Sequence, residues 1–226
     1  MFYRSITMAT FVLVHGGDMS TDTWNRLRNR NDYPPGGHLG ARYWKGTALY
    51  LQLHGHQVYA PTLPDEHTHN LTDHITGVCK LIERQDIRNI ILVGHSYGGM
   101  VITGVAERVP GRIRRMVYLD AALPDPGESL FDLFYRTGAD PLSFAGLEAA
   151  PAYIEKLQFD PKKIRQISRI YILCTLSEFA EITGIAKEKI AASPDGWMYR
   201  ELPASHVPMA TMPDRFYRIM LEMANR

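Results

Sequence analysis

Ile90-Ile91-Leu92-Val93-Gly94-His95-Ser96-Tyr97-Gly98-Gly99-Met100-Val101-Ile102 is the stretch on which the reading of this chain turns. Its first four residues form a continuous apolar run, the pattern of a strand buried on both faces. From Met100 to Arg108 the pattern changes to that of a helix. Between the two lies Gly-x-Ser-x-Gly. The bare pattern is weak evidence, but a strand before it and a helix after it make it specific. A serine on so sharp a turn needs neighbours without side chains. The following helix points its N-terminus at the serine and favours negative charge there. Ser96 is therefore the candidate nucleophile.

Outward from this turn, strand and helix patterns alternate. Phe11–His15, Gln57–Ala60, Asn89–Gly94, Ile113–Leu119, Ile170–Cys174 and Met198–Leu202 read as strands, and Thr47–Leu53, Thr72–Glu83, Met100–Arg108, Phe179–Ala191 and Pro213–Met223 as helices. Such alternation predicts an α/β fold with a mostly parallel sheet flanked by helices. The 226 residues carry no repeat or linker and read as one domain, 1–226. Two segments break the rhythm: Asn29–Tyr43, a long loop rich in Asn, Pro, Gly and Arg, and a cap insertion at about 121–169. Insertions at the carboxyl ends of parallel strands are where ligands bind. Tyr33, Tyr43 and Trp44 from the first segment, and Phe131, Leu133 and Phe134 from the second, are accordingly expected to line the mouth of the site.

The remaining machinery is sought around Ser96. Val14-His15-Gly16-Gly17 ends the first strand, and its Gly17 amide, with that of Tyr97, is expected to form an oxyanion hole; His15 itself reads as structural. A serine hydroxyl needs a base. Of nine histidines, His206 alone lies late in the chain, in the loop Pro203-Ala204-Ser205-His206 between the last strand and the last helix. For the carboxylate that orients it, two residues compete: Glu178, after the fifth strand, and Asp120, at the end of the fourth. Glu178 is favoured. His67, His69 and His74 match no metal-ligand spacing and read as a polar loop, so no metal is expected.

Composition narrows the partners. Hydrophobic residues are 45%, charged residues 22%, and the formal net charge is +1, which favours neither a nucleic-acid nor a membrane surface. Cys79 and Cys174 lie in apolar stretches and read as buried free thiols. The N-terminal segment lacks the apolar run of a signal peptide, and Met8 is a plausible alternative start; a cytoplasmic location is the default expectation.

These motifs resemble the plant methylesterase and hydroxynitrile lyase group of α/β-hydrolases and its bacterial esterase relatives. The resemblance rests on Phe11–Gly17, Gly55–Leu63, Gly94–Gly99, Val117–Ala121, Pro124–Ser129, Tyr171–Thr175 and Ser205–Met209. It implies the α/β-hydrolase fold with a short cap, and serine-hydrolase chemistry. Three departures stand out. Where the group carries its acid, an aspartate shortly after the position of Thr175, this chain has Ser177 and Glu178. The cap is shorter and the early loop longer, so the pocket is remodelled. The lyases have His-Thr in place of His15-Gly16 and a lysine in place of Val207, so the groups used in cyanide chemistry are absent. The expectation is hydrolysis of a small, largely apolar carboxylic ester or lactone through an acyl-enzyme, with no cofactor. The alternatives are a cyanohydrin or carbon–carbon lyase on the same scaffold, and a small-molecule receptor with a vestigial triad.

Overall fold

The computed structural model describes residues 8–144 and 147–224. The expectation for the segment before Met8 concerns residues outside this range. In chain order the elements are β1 (Thr10–Val14), α1 (Thr21–Arg28), α2 (Lys45–Leu53), β2 (Gln57–Tyr59), α3 (Leu71–Arg84), β3 (Ile90–His95), α4 (Gly98–Arg108) and β4 (Ile113–Leu119). Then follow α5 (Leu130–Thr137), α6 (Pro151–Ile154), α7 (Pro161–Ile164), β5 (Ser168–Cys174), α8 (Ala180–Ala192), β6 (Trp197–Leu202), α9 (Pro208–Thr211) and α10 (Pro213–Ala224). The strands form one sheet in the order β2-β1-β3-β4-β5-β6, with every neighbouring pair parallel.

Burial on both faces explains why the inner strands, β1 and β3 above all, are continuous apolar runs. Along β1, Val12 and Val14 face one core while Phe11 and Leu13 face the other. Along β3, Ile90 and Leu92 join the first core, and Ile91 and Val93 the second. The first core is closed by α3, α4, α5 and α8, the second by α2 and α10. Polar caps set the helix starts. Asn70 and Asp73 form a capping box on α3, and Ser129 and Asp132 form one on α5.

Helix α1 was not among the expected elements. Its polar sequence buries only Thr21 and Trp24, and it begins where the Ser20 hydroxyl accepts the Thr23 N–H. An antiparallel bridge between Ser20 and His38 folds the long loop back across it. Among the described residues, no helix is long and apolar enough to cross a membrane.

Candidate active site

The site lies at the carboxyl ends of β1, β3, β4, β5 and β6. Strand β3 ends at His95, and Ser96 takes φ 56°, a left-handed conformation that non-glycine residues seldom adopt. Helix α4 starts two residues later. The elbow leaves no room for a side chain at Gly98: a Cβ there would lie 2.8 Å from the carbonyl oxygens of Val14 and His15. The loop after β1 presses on the serine from the other side, since a Cβ at Gly16 would come within 2.7 Å of the Ser96 Cβ. This closeness sets the Gly16-Gly17 amides beside the candidate nucleophile.

The two competing carboxylates separate clearly. Asp120 is fully buried at the end of β4, and its Oδ2 lies 2.7 Å from Nδ1 of His206. Its Oδ1 accepts the Cys174 N–H at 2.8 Å, and Oδ2 also accepts a short hydrogen bond from the Ser177 hydroxyl. Glu178, favoured from sequence, is exposed and accepts the backbone N–H of His206 at 3.1 Å. It holds the loop that carries His206, whereas Asp120 holds the ring. The cause is local backbone geometry. Asp120 takes φ 43° where the chain leaves β4, and its N–H is tied to the Ile172 carbonyl at 2.7 Å, which fixes the carboxylate inward between the ends of β4 and β5.

Other groups enclose the His206 ring. The Phe179 ring lies 4.9 Å from that of His206, and the His95 ring 4.6 Å from it. The Ser177 hydroxyl, 3.4 Å from Nδ1 of His206, accepts the Phe179 N–H at 3.0 Å. The sequence reading gives Ser177 and Phe179, which flank Glu178, no role in the site. From the cap, Tyr153 reaches over the oxyanion loop: a Cβ on Gly17 would meet its hydroxyl at 2.5 Å. That hydroxyl donates to Glu66 at 3.0 Å, and the Tyr153 ring packs edge-on against Tyr97 at 5.0 Å. No sequence signal marks Tyr153, in the four-residue helix α6, or Glu66, in a turn after β2.

Burial keeps the histidines around the site neutral. His15 donates from Nδ1 to the Gly16 carbonyl and accepts the Leu63 N–H on Nε2; burial pushes its pKa down to about 4. Burial, and then the neighbouring His206, hold His95 well below the ordinary histidine value. His74, expected in a polar loop, instead lies buried in α3 with Nδ1 3.0 Å from the Tyr97 hydroxyl.

The expected pocket residues are mostly elsewhere. Trp44 is fully buried between Phe216 and His95, beneath the sheet rather than at a mouth. Tyr43 is buried too, with its hydroxyl on the Gly16 N–H. Leu133 and Phe134 turn the apolar face of α5 into the first core, and Phe131 packs there with them. Tyr33 lies beside α1, its backbone paired with the Asn25 side chain. Aromatic residues in an insertion satisfy a core as readily as a pocket, and here the segments carrying them fold onto helices. Phe134 keeps an indirect link, its ring centroid 5.9 Å from that of Phe179.

Comparison with known proteins bears on the family and the fold. A carbendazim hydrolyzing esterase of Nocardioides sp. (strain SG-4G) is 41% identical over 135 residues, 56% of this chain. The putative chloroplastic methylesterase 11 of Arabidopsis thaliana is 24% identical over 244 residues, 84% of this chain. The matches span 47% and 62% of these two relatives, so the chain covers less than two thirds of their lengths. Among solved structures, an extracellular alpha/beta-hydrolase from a Paenibacillus species shares the fold, with a TM-score of 0.70 at 24% identity, over 95% of this chain and 98% of that one. Residues 11–163 match the Alpha/beta hydrolase family, and the chain belongs to it.

Proposed function

We propose that the protein is a serine-type carboxylic-ester hydrolase acting on a small, largely apolar ester or lactone. The observation that carries this reading is the 2.7 Å contact between Asp120 and His206 beside the strained Ser96 elbow. The names of the relatives, a carbendazim hydrolyzing esterase and a methylesterase, support ester cleavage.

The chemistry follows from the groups present. Because Asp120 is an acceptor, Nδ1 of His206 carries the proton, and Nε2 is the basic nitrogen. It takes the Ser96 proton as Oγ attacks the carbonyl, then delivers it to the leaving alcohol. The amides of Gly17 and Tyr97 stabilise the oxyanion, a contribution worth about 10²–10³ in rate per donor in a comparable site. Water, deprotonated by His206, then releases the acid. Side chains and water suffice, and no metal or organic cofactor enters. The apolar surroundings fit an apolar substrate: Phe179 walls the base, and Leu176, next to Ser177, is 67% exposed. Two buried free thiols and the balanced charge fit a cytoplasmic enzyme with a small-molecule partner, rather than a nucleic acid or a membrane.

Rates across p-nitrophenyl esters of increasing acyl length, with methyl esters and lactones alongside, test the reading. Turnover should be highest for short acyl chains. Absence of turnover across the whole panel would overturn it.

A further inference from the structure

Tyr43 stands at the end of the long early loop, yet its hydroxyl reaches the back of the catalytic centre. It accepts the Gly16 N–H at 2.5 Å and lies 3.1 Å from Nδ1 of His95. On the far side of that ring, Nε2 of His95 is 2.7 Å from the backbone carbonyl of His206. A carbonyl only accepts, so Nε2 carries the ring proton and Nδ1 accepts. The Tyr43 O–H therefore donates to Nδ1 while its lone pair receives Gly16 N–H. One arrangement of protons satisfies the whole row. It runs from the oxyanion loop through Tyr43 and His95 to the loop that holds the base. Edge-on ring packing of Tyr43 on His95, at 5.6 Å, and on His15, at 5.9 Å, leaves the hydroxyl little freedom.

We propose that Tyr43 is a positioning residue which, acting through His95, fixes the oxyanion loop at Gly16-Gly17 relative to the loop that carries His206. It touches neither the substrate nor the reacting atoms. The proposal rests on the ester-hydrolase reading for its kinetic consequence, but its structural consequence is independent of that reading. The row is internally consistent over the working pH range. Burial raises the Tyr43 hydroxyl above the ordinary phenol value and lowers His95, so neither group changes charge. It also ties an insertion, the Asn29–Tyr43 segment, to the catalytic geometry, which gives that loop a role other than lining a pocket.

The test is Tyr43→Phe, which removes only the hydroxyl. Active sites are first counted by phosphonate labelling, and kcat is expressed per labelled site on a p-nitrophenyl ester. We expect kcat to fall about tenfold while KM stays within about twofold, the pattern of a lost transition-state geometry. Affinity for a trifluoromethyl ketone, which forms an oxyanion adduct, should fall in parallel with kcat. A residue that served packing alone would lower thermal stability and leave kcat per site unchanged, and that result would overturn the proposal. Amide hydrogen exchange gives the readout that needs no turnover. It should quicken in Tyr43→Phe at Gly16-Gly17 and at Ser205–Val207, and unchanged exchange at both would overturn the proposal even if the wild type proved inactive on esters. Should Tyr43→Phe not fold, His95→Gln and His95→Leu are compared by the same exchange measurement. Gln keeps a donor for the His206 carbonyl, so slower exchange at Ser205–Val207 in Gln than in Leu is expected, and equal exchange would contradict the proposal.

Discussion

The carboxylate of Asp120 and the imidazole of His206 meet at 2.7 Å although they are carried by strands that are not neighbours, β4 and β6, with β5 between them. The contact is possible because Asp120 is turned inward past the end of β5, where it also holds the Cys174 N–H. Its amide variant should preserve the geometry and lose the function. Asp120→Asn is expected to lower kcat by up to about 10⁴, judging from the established serine triad. Glu178→Gln should stay within a few-fold of wild type, because an amide oxygen can still accept the His206 N–H. Steady-state kinetics on one ester compares the two. Crippled Glu178→Gln beside healthy Asp120→Asn would reverse the assignment.

The Ser177 hydroxyl donates to Asp120, the carboxylate that meets His206. Ser177→Ala removes that donor and the acceptor for the Phe179 N–H. A hydrogen bond to a charged group is worth about 1.5–3 kcal/mol, so a kcat loss of about tenfold is expected, with KM little changed. An unaltered kcat would show that Asp120 needs no help from Ser177.

The sharp turn at Ser96 and the loop that carries His206 were legible in the sequence because each lies in a short local pattern, Gly94–Gly98 and Pro203–His206, at the end of a strand. The inner strands were legible because burial on both faces leaves an unbroken run of apolar residues. The acid was not. Asp120 and Glu178 follow adjacent strands, and what separates them is the left-handed turn at Asp120, which spacing does not encode. The pocket was not legible either. Trp44 and Phe134 have the composition of a lining and the placement of a core, and only tertiary packing distinguishes the two.

That correction changes what their variants should do. Trp44→Ala and Phe134→Ala each empty a fully or nearly fully buried site. Each should lower unfolding free energy by about 3–5 kcal/mol in denaturant titration. The order of preference across the ester panel should be retained in the folded fraction. A changed preference with unchanged stability would restore these residues to the pocket.

The buried histidines make stability depend on pH. The folded protein holds His15 down at about 4, whereas the unfolded chain titrates near 6.5. Above the unfolded value both states are neutral, and the stability associated with neutral His15 is fully present. As pH falls below it, the unfolded chain binds a proton that the folded chain refuses, and stability declines until the folded value is passed. Between pH 7 and pH 5 this group alone should remove about 2 kcal/mol. His95, lowered in the same direction, adds to the loss. Melting temperature measured over that interval should fall with pH, and a level profile would contradict the burial of these neutral rings.

If Ser96 is the nucleophile, it should be captured covalently. The wild-type protein is treated with a fluorophosphonate and digested, and the modified residue is identified by mass spectrometry. A single adduct on Ser96 is expected, absent from Ser96→Ala and slowed strongly in Asp120→Asn. An unmodified Ser96 under conditions that label a known serine esterase, or an adduct on another residue that persists in Ser96→Ala, would contradict the claim.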